Sequence, residues 1–235
     1  MNILVTGASK GIGKTIAENL KDIGNVYVTA RNEKALKSFN NAGYCICDLS
    51  SEEDLIKLGD FIEDKNIDIL INNAGEYIYN AIDETEISKL NHIIAVNFKA
   101  PIYLISRAVL HMKANKFGRI INIGSISGVM GEAYASLYSA TKSGLIGLSK
   151  ATGLELAEYG ITVNTINPGW VDTDLGKNSI EDSEFSEQEI LECIPQRRFV
   201  APEEVAGLVK YLISNDAKGI TGQSINLCAG LSVGI

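Results

Sequence analysis

A short apolar strand, a glycine-rich turn and a helix follow one another at the start of this chain. Residues 2–6 have the pattern of a strand, the turn at 7–13 is Gly-Ala-Ser-Lys-Gly-Ile-Gly, and Ile16, Ala17 and Leu20 then repeat at helical spacing. Glycines allow a tight turn and a close approach of the backbone to a pyrophosphate, and the next helix presents free N–H groups to that anion. This order of elements predicts a nucleotide-binding unit, with a purely structural turn as the alternative.

Strand and helix patterns alternate along the whole chain with short gaps. Strand-like runs such as 120–123 are apolar except at Asn122, as expected where helices cover both faces of a sheet. Strands are predicted near 2–6, 25–30, 43–47, 67–72, 118–124, 161–167 and 224–228. Helices are predicted near 11–23, 33–40, 51–65, 86–98, 101–115, 135–159 and 202–214. The alternation predicts an α/β fold over 1–235: a single domain with a doubly wound (Rossmann) parallel sheet, strand order 3-2-1-4-5-6 and helices on both faces.

Charge and residue usage exclude several classes of function. The net charge of −8 argues against a nucleic-acid partner, and no uninterrupted apolar run reaches the 18 residues of a membrane span. The chain begins directly on a core strand, which predicts a cytoplasmic protein without a signal peptide. His92 and His111 lie on separate helical segments, and Cys45 and Cys47 share one strand face as buried thiols, so no metal site is predicted.

A tyrosine and a lysine four residues apart, Tyr138 and Lys142, form the strongest candidate for chemistry. Positions i and i+4 share one face of a helix, and Ser125 lies thirteen residues upstream. A nearby cation favours the phenolate, so Lys142 is expected to lower the pKa of Tyr138 and to make it a proton donor and acceptor near neutral pH. A solvated helix face is the alternative interpretation of the pair.

The segment 174–199 interrupts the alternation, because it is polar and acidic with weak helical signals until Ser186. There Ser186 and Glu189 have the spacing of a capping box. The segment follows the sixth predicted strand at the carboxyl edge of the sheet, which favours a mobile lid over a substrate. A solvated loop is the alternative.

The chain resembles the short-chain dehydrogenase/reductase family over essentially its whole length. The glycine spacing Gly-x-x-x-Gly-x-Gly behind Thr6 is typical of that family rather than of the commoner dinucleotide motif. The other matching positions keep the family's order and spacing, and they are Asn72-Asn73-Ala74-Gly75, Asn97, Ser125, Tyr138, Lys142, Pro168-Gly169 and Thr173. The resemblance implies that the C-terminal segment supplies a seventh strand.

The resemblance assigns catalytic roles to Asn97, Ser125, Tyr138 and Lys142. It implies that Tyr138 donates a proton to the substrate carbonyl during reduction and that Lys142 lowers the pKa of Tyr138 and holds the nicotinamide ribose. Ser125 is expected to hydrogen-bond the substrate oxygen, where negative charge develops, and Asn97 to support Lys142 through a water-linked path. The cofactor supplies the redox chemistry and no metal is needed.

The turn after the second strand favours NADP(H) over NAD(H). Enzymes that use NAD place an acidic residue there, whereas this turn has no carboxylate until Glu33. Arg31, with Lys10 on the same edge, suits a 2′-phosphate, and Asp48 resembles the family's adenine-binding aspartate. The predicted cofactor-binding residues are Gly7, Ser9, Lys10, Gly11, Ile12, Gly13, Arg31, Asp48, Leu49, Asn73, Ala74, Gly75, Tyr138, Lys142, Pro168, Gly169, Val171 and Thr173.

Within the family, segments 118–125, 143–150 and 160–164 look most like 3-oxoacyl-acyl-carrier-protein reductases of bacterial fatty-acid synthesis. Those enzymes bind an acidic carrier protein through basic residues beside the mouth of the active site, where this chain has Lys116 and Tyr159. Reduction of a small ketone, a sugar or a polyketide intermediate stays open, as does a non-catalytic NADP-binding sensor. The resemblance also implies a homotetramer built through the helices at 86–115 and 135–159 and through the last strand.

Overall fold

Seven parallel strands form one sheet in the computed structural model, which describes residues 1–39, 42–181 and 185–233. Their order is β3-β2-β1-β4-β5-β6-β7, so the predicted arrangement is confirmed and the C-terminal strand adds the seventh at one edge. The strands are β1 Asn2–Thr6, β2 Asn25–Ala30, β3 Gly43–Ile46, β4 Ile69–Asn72, β5 Gly118–Ile123, β6 Ile161–Pro168 and β7 Ser224–Leu227.

Helices connect the strands and cover both faces of the sheet, as predicted. They are α1 Gly11–Asn19, α2 Glu33–Ser38, α3 Glu52–Asp64, α4 Ile87–Ile94, α5 Ala100–Asn115, α6 Ser127–Met130, α7 Ser136–Leu156, α8 Asp174–Glu181, α9 Glu187–Cys193 and α10 Pro202–Leu212. The predicted helices at 11–23 and 135–159 are too long, since α1 ends at Asn19 and α7 passes into a 3₁₀ turn at Ala157–Tyr159. The predicted helix 33–40 reaches Asn40, which lies outside the described residues.

The central strands are apolar on both faces because each face meets a separate hydrophobic core. On β1, the side chains of Ile3 and Val5 enter the core closed by α1 and α10. Leu4, between them, enters the core closed by α3 and α5. Successive strand residues point to opposite faces, so a strand covered on both sides is largely apolar. The polar side chains that are buried in these strands, such as Asn72 and Asn122, hydrogen-bond each other.

A π-helical turn joins α4 to α5, so the predicted helices at 86–98 and 101–115 form one continuous helical path. In this turn, Ala95–Lys99, the Ala100 N–H donates to the Ala95 carbonyl five residues earlier. Pro101 has no N–H to donate to the carbonyl of Asn97, and this missing bond favours the wider turn. Asn97 therefore lies on a local widening of the helix.

The helical stretch 87–115 is long and apolar enough to cross a membrane, with a mean hydropathy of 1.5 in its best window. The prediction that nothing spans a membrane considered only uninterrupted apolar runs. It therefore overlooked this stretch, in which polar residues interrupt the apolar ones. In the fold it is a helix of the protein core, since Leu104, Ala108 and Met112 are buried against the sheet and α3.

Two helices lie within the segment 174–199. The predicted capping box is confirmed at the start of α9, where the Glu189 N–H donates to Ser186 Oγ over 3.3 Å and the Ser186 N–H donates to Glu189 Oε2 over 2.8 Å. Helix α8 was not predicted; it begins after Thr173, whose Oγ1 accepts the Gly176 N–H at 3.2 Å. Residues 182–184 of this segment lie outside the described residues.

Candidate active site

The glycine-rich loop after β1 packs directly on the end of β4. Gly7 has a φ of +66°, and a Cβ there would lie 2.8 Å from the Ala74 Cα. A Cβ on Gly13 would lie 2.3 Å from Asn73 Nδ2. Thr6 Oγ1 accepts the N–H groups of Asn73 and Ala74, both at 3.0 Å. These positions need glycine because two backbone segments meet here without room for side chains.

One cavity of about 1100 Å³ opens at the carboxyl ends of the strands and is large enough for a dinucleotide together with a substrate. All eighteen residues predicted to bind the cofactor line it. The predicted catalytic residues Ser125, Tyr138 and Lys142 line it too, whereas Asn97 lies behind its wall. The sheet edge therefore assembles predicted site residues that are up to 166 positions apart in the sequence, from Gly7 to Thr173.

Charged and hydrogen-bonding side chains make this cavity suitable for NAD(P)H. Lys10 and Arg31 supply cations near the start of α1 and the end of β2, where the ribose 2′ position of a bound dinucleotide is expected. Asp48 accepts hydrogen bonds from the Ser50 N–H at 2.9 Å and Ser50 Oγ at 2.7 Å, which hold the pKa of its carboxyl below the usual value. Asp48 is thus a fixed anionic acceptor for a base or ribose donor.

Arg31 already has a partner in this structure. Its Nη1 lies 3.0 Å from Glu76 Oε1, and the other oxygen of Glu76 lies 2.7 Å from His92 Nε2. Sequence analysis did not identify Glu76, although it directly follows the Asn72–Gly75 motif. Its carboxylate adds a negative charge beside the predicted phosphate-binding arginine.

Tyr138 and Lys142 lie one turn apart on α7, facing the end of β5. Lys142 is buried and its Nζ donates to the Ile123 carbonyl over 2.8 Å, while lying 5.6 Å from the centre of the Tyr138 ring. Tyr138 hydrogen-bonds Ser125, the second residue after β5. The arrangement brings a phenol, a hydroxyl and an amine to one point of the cavity wall.

The expected lowering of the Tyr138 pKa is wrong for this structure. Burial raises the pKa of Tyr138 to about 12, the hydrogen bond with Ser125 lowers it, and the charge of Glu132 raises it further. Burial also lowers the pKa of Lys142 to about 8. Desolvation outweighs the attraction of the lysine because the Lys142 ammonium is itself buried and turned to a carbonyl.

Asn97 is buried in the π-turn and bonds the backbone of Glu76 twice. Its Oδ1 accepts the Glu76 N–H and its Nδ2 donates to the Glu76 carbonyl, both at 2.8 Å. A Cβ built on Gly75 would lie 3.1 Å from Lys142 Nζ and 3.4 Å from Asn97 Oδ1. Glycine at this position therefore leaves the space between the predicted catalytic asparagine and lysine.

The substrate side of the cavity contains residues that sequence analysis missed. Glu132 accepts hydrogen bonds from Ser127 Oγ at 2.5 Å and from the Tyr77 hydroxyl at 2.7 Å. Aromatic and apolar side chains line the same cavity, and they include Tyr77, Tyr79, Met130, Tyr134, Trp170 and Leu175. Loop residues without periodicity supply most of them, so the pattern of the sequence carried no signal for them.

The two residues expected to dock a carrier protein lie away from this cavity. Lys116 precedes β5 and Tyr159 precedes β6, so both occupy the amino edge of a sheet whose carboxyl edge holds the cavity. The Lys113 Nζ lies 4.9 Å from the centre of the Tyr159 ring. Arg119 is buried and bonds the Gly118 and Gly160 carbonyls, so the nearby cation available to a partner is Lys113.

The chain matches known reductases over nearly its full length. Residues 7–232 match a protein family described as Enoyl-(Acyl carrier protein) reductase. The 3-oxoacyl-[acyl-carrier-protein] reductase FabG of Rickettsia prowazekii is 37% identical over 234 residues, which cover 97% of this chain and 95% of that protein.

Two solved structures have the same fold. A variant of actinorhodin polyketide ketoreductase with NADPH has a TM-score of 0.92 at 34% identity, covering 99% of this chain and 97% of that one. YwfH, an NADPH-dependent reductase involved in bacilysin biosynthesis, has a TM-score of 0.93 at 31% identity, covering 100% and 99%.

The fold, the site and these similarities define one class of protein. The chain belongs to the short-chain dehydrogenase/reductase family, whose members are NAD(P)-dependent oxidoreductases acting on CH–OH and C=O groups.

Proposed function

We propose that this protein is an NADPH-dependent carbonyl reductase that reduces 3-oxoacyl-[acyl-carrier-protein] to the 3-hydroxyacyl form. The observation that carries the proposal is the joint placement of Ser125, Tyr138 and Lys142 in a cavity whose other end carries Lys10 and Arg31. The named activity of the FabG relatives supports the substrate, and the NADPH in the ketoreductase structure supports the cofactor.

Each predicted catalytic residue has a physical role in this proposal. NADPH supplies the hydride when bound. Tyr138, with a pKa of about 12, is protonated at neutral pH and donates its proton to the substrate oxygen as charge develops there. Ser125 hydrogen-bonds the same oxygen, Lys142 holds the ribose hydroxyls, and Asn97 fixes the chain at Glu76 beside Lys142.

A small free carbonyl compound is the second candidate substrate, whether a ketone, a sugar or a polyketide intermediate. Two observations favour it. The substrate side is lined by aromatic rings and a carboxylate, and Lys116 lies at the opposite edge of the sheet from the cavity. A carrier protein docked at Lys116 would therefore have to deliver its acyl group to a cavity that Lys116 does not border.

The proposal also includes a lid, an assembly and a compartment. Residues of α8 and α9 line the cavity, which supports the segment 174–199 as a lid within a single 1–235 domain.

Large apolar side chains on α4, α5 and α7 are exposed, including Ile87 at 70% and Leu154 at 83%, which supports pairing of these helices in a cytoplasmic homotetramer.

NADPH oxidation against a carbonyl panel tests the proposal. The panel contains acetoacetyl-carrier-protein, acetoacetyl-CoA, a free 3-ketoester and keto-sugars. The highest kcat/KM for the carrier-bound substrate supports the first candidate, and a higher value for a free compound supports the second. Tight NADPH binding without turnover on any of them would favour a non-catalytic sensor.

A further inference from the structure

Glu132 lies in the loop between α6 and α7. It hydrogen-bonds two side chains, one of which contacts Ser125 and the other Tyr138. Its Oε2 accepts the Ser127 hydroxyl at 2.5 Å, and its Oε1 accepts the Tyr77 hydroxyl at 2.7 Å. A hydroxyl has one proton to donate, so both groups are fixed in direction by the carboxylate. Both donors lie on the cavity wall.

The Ser127 side of this network reaches Ser125. Because the Ser127 proton goes to Glu132, the Ser127 oxygen is free to accept the Ser125 hydroxyl, at 3.1 Å. The Ser127 N–H donates to Ser125 Oγ at 3.2 Å. Ser125 thus donates one hydrogen bond to Ser127 and accepts another from it, and the carboxylate determines which way the Ser127 hydroxyl points. When a carbonyl binds, the Ser125 proton turns to the carbonyl oxygen while the Ser127 N–H continues to hold Ser125 Oγ.

The Tyr77 side of the network reaches Tyr138. The two rings meet edge to face, with centres 5.1 Å apart and an interplanar angle of 71°. The hydrogen bond from the Tyr77 hydroxyl to Glu132 restrains the Tyr77 ring. The Tyr77 ring is therefore a fixed surface against Tyr138, the predicted proton donor. The Glu132 charge also raises the pKa of both phenols, after burial as the larger cause.

We propose that Glu132 is a positioning residue that holds Ser125 and Tyr138 in the arrangement for proton donation to a carbonyl. The carboxylate does so through its hydrogen bonds with Ser127 and Tyr77, and its negative charge adds to burial in favouring the protonated phenol of Tyr138. This inference rests on the proposed reductase function. The other ionisable groups around Tyr138 are Lys142 on the same helix, Tyr77 and Tyr79 after β4, and Tyr134 beside Glu132.

The variant Glu132→Gln keeps the size and an acceptor oxygen but removes the charge. Without that charge the pKa of Tyr138 falls from its raised value. Reduction needs the protonated phenol, so the alkaline fall of kcat moves to lower pH. Tyr138 stays protonated at pH 7, so the drop in kcat at that pH comes from the lost positioning of Ser125 and Tyr138; we expect it to be smaller than the factor of about 10²-fold to 10⁴-fold supplied by a general acid, with KM for NADPH unchanged. Glu132→Asp should restore part of the loss.

Two further variants separate charge from position. Ser127→Ala breaks the bridge to Ser125 and keeps the carboxylate, so kcat should fall while the alkaline limb stays in place. Glu53→Gln removes a carboxylate that does not line the cavity and is paired with Lys57, and it should leave both quantities as in the wild type. An unshifted pH profile in Glu132→Gln would overturn the inference.

A spectroscopic titration needs no turnover and keeps the test independent of the proposed activity. The phenolate absorbance of Tyr138 is obtained by subtracting the titration of Tyr138→Phe from that of the wild type. The midpoint should move to lower pH in Glu132→Gln, and an unchanged midpoint contradicts the role of Glu132. A shifted midpoint in a protein that reduces no carbonyl would overturn the proposed function and leave the electrostatic coupling standing.

Discussion

The Glu76 carboxylate lies 3.0 Å from the guanidinium of Arg31, so the predicted phosphate-binding residue is paired with an acid of the same cavity. The backbone of Glu76 is bonded at both its N–H and its carbonyl to the Asn97 side chain. Glu76 therefore connects the predicted 2′-phosphate end of the cavity to its predicted catalytic end.

Replacing Glu76 should strengthen NADPH binding. A 2′-phosphate and the Glu76 carboxylate compete for Arg31, and the two anions repel each other. Glu76→Gln removes that competition while keeping the side-chain shape, so the Kd for NADPH should fall several-fold and the Kd for NADH should change little. Fluorescence titration of the reduced cofactors measures both. Glu33→Gln, which removes a carboxylate paired with Lys37, is the matched control. Weaker NADPH binding in Glu76→Gln would mean that Glu76 orients Arg31 rather than competing for it.

Arg31→Asp should reverse the cofactor preference. The change removes a phosphate partner, adds a repelling charge and offers an acceptor to a free ribose hydroxyl. The ratio of kcat/KM for NADPH over NADH should fall below one. Should the ratio stay at the wild-type value, Lys10 or another residue binds the phosphate.

The protein should form a homotetramer at micromolar concentration. Leu154 on α7 is 83% exposed, and burying such side chains between protomers is favourable. Light scattering should give four times the 25.3 kDa chain mass. Leu154→Glu should dissociate the helix pairing, whereas Ile56→Glu, at an exposed isoleucine on α3, should not. A monomer mass for the wild type contradicts the assembly. Residues 234–235, which follow the last strand expected at one interface, lie outside the described residues.

Lys116→Glu should discriminate between the two candidate substrates. An exposed lysine attracts an acidic carrier protein and acts mainly on the association rate. If the carrier protein docks there, KM for the carrier-bound substrate rises several-fold and KM for a free ketoester stays the same. Salt should also raise the wild-type KM for the carrier-bound substrate by screening. Equal effects on both substrates, or no salt dependence, favour the small carbonyl compound.

The sequence predicted the sheet because the residue types in each strand reflect whether the faces of that strand are buried. In β1, the buried residues Ile3, Leu4 and Val5 are apolar on both faces, and the glycines at 7 and 13 mark a place where backbones touch. The sequence missed α8, whose start depends on the Thr173 side chain rather than on apolar periodicity. It also missed the π-turn that makes α4 and α5 continuous.

Sequence motifs predicted the residues that line the cofactor side of the site. Residues that reach the site only through the packing of loops were not predictable from the sequence. The residues lining the cofactor side came from motifs, whereas Glu76 and Glu132 act through contacts between loops that have no sequence pattern. The direction of the Tyr138 pKa shift was wrong because burial, which only the folded structure shows, outweighs the charge four residues away.

Turnover of Tyr138→Phe tests the proposed reaction most directly. The change removes the hydroxyl that donates the proton and keeps the ring that packs against Tyr77. NADPH oxidation with the best substrate of the panel should fall by about 10²-fold to 10⁴-fold or more, while NADPH binding stays nearly intact. Tyr211→Phe, at an exposed tyrosine on α10, should keep the wild-type rate. Wild-type turnover in Tyr138→Phe would contradict the assignment of Tyr138 as the proton donor.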